Sequence, residues 1–165
     1  MIQYAAYGSN LHPLRLALRI PPSRFLGSSF VPGWSLHFHK RSVDGSGKCN
    51  IVNSGKGIYV AVFEMSVKDK VKLDEIEGTG KGYHNSTIDV PEFGTCSTYL
   101  GATAHICNEL KPFDWYREMV LLGCRKLGLC DRYTAIIEAI RNGPDPDEKR
   151  SREQWQIVEQ LRNDT

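Results

Sequence analysis

The texture of the chain changes once, at Pro112. Before it, apolar residues come in short alternating or continuous runs between glycine-rich turns, the pattern of strands; after it they recur at helical spacing. Strands first and helices last argue for an α+β domain with a mixed or barrel-like sheet, since a doubly wound α/β fold would alternate the two. An opening strand leads into a short helix that Pro21-Pro22 breaks. Residues 34 to 41 alternate Trp34, Leu36 and Phe38 with Ser35, His37 and His39, which predicts a half-buried strand with its histidines on the solvent side. Residues 49 to 52 read as a short strand between two loops, and "IYVAVFEM" at 58 to 65 as a buried one. Ser66 is placed to cap a helix through "VKDKVKLDEIE", which Gly78, Gly80 and Gly82 end. Strands follow near 85 to 90 and 96 to 100, then helices over 112 to 127, 131 to 141 and 147 to 162.

A chain of 165 residues can bury one full core, so residues 1 to 165 are expected to form one domain. Its longest apolar runs, Tyr59 to Phe63 and Met119 to Leu122, are too short to span a bilayer, and the N-terminus lacks a basic-then-apolar signal pattern. A cytoplasmic protein without a membrane partner is expected. Five cysteines, odd in number and without a C-x-x-C pair, fit reduced thiols. The net charge of +2, with no basic cluster interleaved with aromatics, gives no footprint for nucleic acid and leaves small molecules as the expected partners. In the charged last helix, Trp155, Ile157, Val158 and Leu161 offer an apolar face to the same domain or to a partner.

Motifs that suggest chemistry fail in detail or are local. "GSGKC" at 45 to 49 resembles the end of a phosphate loop, but Ser42 stands where the first glycine belongs and Cys49 where Ser or Thr belongs. Ser9 lacks the glycines of a nucleophile elbow, since Tyr7 and Leu11 occupy their places. His37 and His39 share a strand face but no third ligand accompanies them, and no metal is expected. The turn Gly8-Ser9-Asn10 is more informative. Asn10 can cap a helix whose first turn holds Pro13, and backbone N–H groups at such a turn converge on one space that favours negative charge. A second candidate is the acidic cluster Asp74, Glu75, Glu77, placed against the helix dipole. Glu77 lies one turn after Leu73, so an inward Leu73 would turn Glu77 toward the core as well.

"YGSNL" at 7 to 11, "GSGKCNIVNSGKGIYVAVFEM", "LDEIEG" at 73 to 78, "GYHNSTIDV", "CSTYLG" and "WYREMVLLGCRKLGL" occur in an order that resembles the γ-glutamylcyclotransferase-like family nearly end to end. The resemblance implies a small mixed β-barrel with flanking helices and a reaction without cofactor. In it a γ-glutamyl amino acid or amine is cyclised to 5-oxoproline with release of the amino acid or amine. It implies Glu77 as the catalytic acid and base, the loop Tyr7, Gly8, Ser9 and Asn10 as the cradle of the glutamyl group, and Tyr83 and Tyr116 as pocket residues. The form "YGSN", rather than the "YGSL" of the branch that cleaves glutathione, argues against glutathione as substrate.

Overall fold

The most apolar strand lies inside the sheet, paired on both sides. The structure, a computed structural model, describes residues 1 to 165. Strand β5 (Ile58–Met65) pairs antiparallel with both β2 (Arg24–Val31) and β1 (Ile2–Ala6), and β1 pairs on its other side, in parallel, with β7 (Gly94–Gly101). β6 (Tyr83–Val90) is antiparallel to β7 and completes a five-stranded sheet of order β2-β5-β1-β7-β6. β3 (Ser35–Arg41) and β4 (Gly47–Val52) form a separate two-stranded ribbon. The helices are α1 (Pro13–Arg19), α2 (Val67–Glu77), α3 (Asp114–Lys126), α4 (Asp131–Glu138) and α5 (Glu148–Asn163). No helix is long and apolar enough to cross a membrane.

Three expectations are corrected. The ladders make an open mixed sheet with flanking helices and no closed barrel. Its outer edges meet through side chains instead: Ser29 Oγ donates to the Pro91 carbonyl at 3.2 Å, and the Phe93 ring stands against Gly27. β2 was not expected at all, because "RFLGSSFV" has polar and glycine residues at its centre and a register shift between Phe25 and Gly27 that spoils alternation. In β3 the register shifts between His37 and Lys40, so His39 is buried rather than solvated. Asn50 Nδ2 donates to His39 Nε2 at 3.0 Å, which leaves Nδ1–H to donate to Asn108 Oδ1 at 2.9 Å. The ring is thereby satisfied without a metal.

Several sequence signals keep their expected places. Ser66 Oγ accepts from the Asp69 N–H at 3.1 Å, and Gly78 ends α2 in the left-handed conformation (φ 70°, ψ 44°). Val158 and Leu161 of α5 are buried in the core, whose apolar residues form one continuous cluster. All five cysteines are free. "GSGKC" closes the β3–β4 turn, and Lys48 Nζ bonds Asp44 Oδ2 and Ser46 Oγ, both at 2.9 Å, beneath the rings of Trp115 (4.4 Å) and Tyr116 (4.5 Å). This lysine pins the ribbon to α3.

A second clasp gives a pH test. Asp145, with no exposed side-chain surface, accepts from Arg150 Nε (2.7 Å), Arg150 Nη2 (2.5 Å) and Trp115 Nε1 (3.1 Å). Arg150 holds its carboxyl down at about 2. Because the folded value lies below the unfolded one, near 3.9, this stabilisation is fully present above about pH 4 and is lost as pH falls toward 2. Asp145→Asn is expected to cost roughly 2–4 kcal/mol at neutral pH. Thermal melts from pH 2 to 7 should show the wild type losing Tm below pH 4 and the variant lacking that part of the loss.

Candidate active site

β1 ends in the middle of the sheet, and the chain leaves it by a sharp turn. Ser9 to Leu11 make a single 3-10 turn closed by the Leu11 N–H on the Gly8 carbonyl (2.9 Å), and α1 begins at Pro13. The helix cap is His12, whose Nδ1 accepts from the Leu14 N–H at 3.2 Å, and not Asn10 as expected. Asn10 is freed for another use. The turn is held from behind by α3: a side chain at Gly123 would stand 2.7 Å from Leu11 Cβ, so only glycine lets the helix approach this closely.

Glu77 comes to the same place from the other side. As the last residue of α2 it faces the negative end of the helix dipole, at a cost of roughly 0.3–1 kcal/mol. Arg19 Nη1 donates to Glu77 Oε1 at 2.8 Å and Asn10 Nδ2 to the same oxygen at 3.0 Å. Charge-assisted hydrogen bonds are worth about 1.5–3 kcal/mol each, so they outweigh the dipole. Asn10 also accepts from Arg19 Nη1 (3.2 Å) and donates to the Tyr4 hydroxyl (3.3 Å), which makes it the link between α1 and Glu77. Both donors use Oε1, and no group of the chain donates to Oε2. Leu73 is fully buried, as the inward orientation of Glu77 requires. The other acids of the cluster are elsewhere: Asp74 is held by Lys70 and by the Tyr99 hydroxyl (2.8 Å), and Glu75 is exposed.

Tyr7, Gly8, Ser9, Asn10, Glu77, Tyr83 and Tyr116 all line one narrow cleft, together with Tyr4, Cys49 and Tyr99. Its free volume is about 30 Å³, so anything held in it touches several walls at once. Buried Tyr7 and the adjoining Gly8 offer backbone N–H groups that no acceptor of the chain takes up. The Ser9 hydroxyl likewise makes no hydrogen bond within the chain. Tyr83 donates its hydroxyl proton to the Cys49 carbonyl (2.5 Å), while the Tyr116 hydroxyl accepts from the Cys49 N–H (3.1 Å). The two hydroxyls therefore hold both backbone groups of one residue of β4, and the rings stand as fixed walls. Burial pushes the phenols of Tyr7, Tyr83 and Tyr116 well above the ordinary range, so all three stay neutral. Burial also pushes the Cys49 thiol up to about 12, which removes it as a nucleophile near neutral pH. No group of three or more His, Cys, Asp or Glu side chains is arranged to hold a metal ion.

Sequence reasoning missed Tyr4, Cys49, Tyr99 and the partner Arg19. Arg19 had one local signal, its position in the last turn of the helix that follows the Gly8-Ser9-Asn10 turn, but its pairing with Glu77 is tertiary.

No protein-family model matches the chain, and no curated protein is significantly similar to it in sequence. Among solved structures, it is similar to a γ-glutamyl cyclotransferase with TM-score 0.84 and 27% identity, over 96% of this chain and 98% of that one. An uncharacterised protein from Homo sapiens is similar with TM-score 0.81 and 28% identity over the same shares, 96% and 98%. YkqA from Bacillus subtilis shares the fold, with TM-score 0.72 and 18% identity over 86% of this chain and 56% of that chain. With near-complete coverage in both directions in two of these, and the ordered motifs of its sequence, the chain resembles the γ-glutamylcyclotransferase-like family in fold along almost its whole length.

Proposed function

We propose that the protein is a γ-glutamylcyclotransferase that converts a γ-glutamyl amino acid or amine to 5-oxoproline and the free amino acid or amine. The observation that carries this reading is the convergence of one carboxylate, Glu77, with unpaired backbone donors and a wall of neutral phenols in a single cleft. A metal or nucleophilic side chain is not required, because the substrate supplies its own nucleophile. The α-amine attacks the γ-carbonyl carbon of the same glutamyl group; holding the two ends together makes the step unimolecular.

What the reaction needs from the protein is proton transfer and stabilisation of charge. A free α-amine with pKa about 7.7–8.0 is largely protonated at neutral pH, so it must lose a proton before or during attack. Glu77 Oε2 is free to take it, since Arg19 and Asn10 hold Oε1 and fix the plane of the carboxylate. As the new C–N bond closes the ring, the carbonyl oxygen becomes an oxyanion, and the Tyr7 and Gly8 N–H groups suit it or the substrate α-carboxylate. As the ring nitrogen becomes an amide it gives up a second proton; collapse of the intermediate breaks the old C–N bond, and Glu77 passes the two protons in turn to the leaving nitrogen, which departs as an ammonium. Atoms and charge balance without cofactor or water.

The test is release of 5-oxoproline by the purified protein from γ-glutamyl amino acids, γ-glutamyl amines and glutathione. Turnover of at least one of the first two classes is expected, with glutathione poor. A lack of turnover on all three, with binding of γ-glutamyl compounds retained, would make the protein a binding module.

A further inference from the structure

Lys40, at the end of β3, is a largely buried lysine whose ammonium has no counter-ion and keeps some contact with solvent. It is 7% exposed, yet its Nζ makes no hydrogen bond and no ion pair with any group of the chain. The two acids whose charge reaches it are already committed: Glu77 to Arg19 and Asn10, Asp44 to Lys48 and Ser46. What Nζ does have is the face of Tyr83, 4.2 Å from the ring centroid, and that ring is a wall of the cleft. A cation–π contact replaces only part of the hydration that a buried ammonium gives up. Burial accordingly lowers its affinity for its proton below the ordinary lysine range, with Glu77 and Asp44 acting against this.

The backbone makes room for this arrangement. A side chain at Gly82 would stand 2.8 Å from both Cε and Nζ of Lys40 and 3.5 Å from His105 Cδ2. The same corner holds a second polar atom without a partner, the buried Nδ1 of His105. An ammonium that no group of the chain pairs, a buried imidazole nitrogen without a partner nearby and a glycine that clears space for the lysine, behind a tyrosine of the cleft, describe a subsite for an anion. Natural interiors rarely leave such groups unpaired without a use.

We propose that Lys40 is a specificity residue, its ammonium receiving the α-carboxylate of the amino acid that leaves when a γ-glutamyl amino acid is cyclised. The inference rests on the γ-glutamyl reading of the cleft and narrows it. In such a substrate the leaving carboxylate is three bonds from the scissile carbonyl, so it must lie just beyond the cleft, on the side that Tyr83 closes. γ-Glutamyl amines carry no charge there and leave Lys40 unpaired. The protein therefore discriminates by charge on the leaving group rather than by its size.

The experiment compares γ-glutamyl-alanine with γ-glutamyl-ethylamide, which differ by that one carboxylate, on the wild type, Lys40→Met and Lys40→Arg. Wild type is expected to prefer the alanine compound, and the ratio of the two kcat/KM values should collapse by roughly 10- to 100-fold in Lys40→Met, as loss of a charge-assisted hydrogen bond implies. Lys40→Arg should keep most of the preference. A partial loss of folding or activity lowers both substrates together and does not by itself move the ratio, so the wild-type ratio retained by Lys40→Met protein that is folded by circular dichroism overturns the proposal. Calorimetric binding of the two compounds to the same proteins separates the inference from the reaction on which it rests. Carboxylate-dependent binding lost in Lys40→Met, without 5-oxoproline release by the wild type, keeps the subsite and removes the enzyme. Turnover with the same preference in Lys40→Met does the reverse.

Discussion

Glu77→Gln is expected to lower 5-oxoproline release by about 10²–10⁴-fold, the range that a positioned acid and base contributes, while the protein folds as before. Glutamine keeps the shape of glutamate and can still accept from Arg19 and Asn10 through its carbonyl oxygen. What it cannot do is take a proton from the substrate amine. The loss should fall on kcat with KM little changed, since the carboxylate acts on the reacting proton more than on the bound ground state. Circular dichroism and thermal melting should show the fold retained. Activity within a few-fold of wild type would remove Glu77 as the base, and neither neighbour could replace it, since Asp74 is tied to Lys70 and Tyr99 and Glu75 points to solvent.

Gly8→Val is expected to abolish turnover, by about 10³-fold or more, whereas Ser9→Ala should change it less than about threefold. The first methylene at position 8 would already stand 3.0 Å from Cys49 Cβ and 3.2 Å from the Tyr116 hydroxyl. A branched side chain must push α3 or β4 outward, and in a cleft with about 30 Å³ of free volume it also takes the place of the substrate. A misplacement of reacting groups by 1 Å costs on the order of 10²-fold before any direct exclusion is added. Ser9 contributes through its backbone position, and its hydroxyl makes no hydrogen bond to a base. Steady-state kinetics of the two variants decides between these roles: the opposite order of effects would point to a nucleophilic serine.

Local signals carried the elements whose code is local. The Ser66 cap, the Gly78 stop, the continuous apolar run of β5 and the strand-to-helix turn at residues 7 to 11 follow from residues that bond within a few positions of themselves. The residues Tyr7 to Asn10, Glu77, Tyr83 and Tyr116 were all legible by resemblance, and they line one cleft. What was illegible depends on partners distant in sequence. Nothing in "RFLGSSFV" announces a strand, because β5 supplies the apolar partner and a bulge accommodates Gly27. Asn10 looked like a cap because asparagine usually caps where it precedes a helix, but a tertiary acceptor, Glu77, competes successfully for its side chain. His39 looked solvated because alternation assumes an unbroken register, and the β3 bulge breaks it. Lys40 gave no signal and Arg19 only its place in the last turn of α1, since a cation reveals its purpose only when its neighbours are known.

The placement of β1 also orders events in time. Tyr4 stands opposite Phe63 on one side and Ser97 on the other, so β1 leaves the ribosome well before either strand that pairs with it. At roughly 5–20 residues per second, the segment that will become the cradle waits several seconds as an unpaired edge. Its final anchor, α3, emerges later still. The cleft is therefore assembled only after both partner strands and α3 have been made, and its closure during refolding would time the closing of the whole sheet.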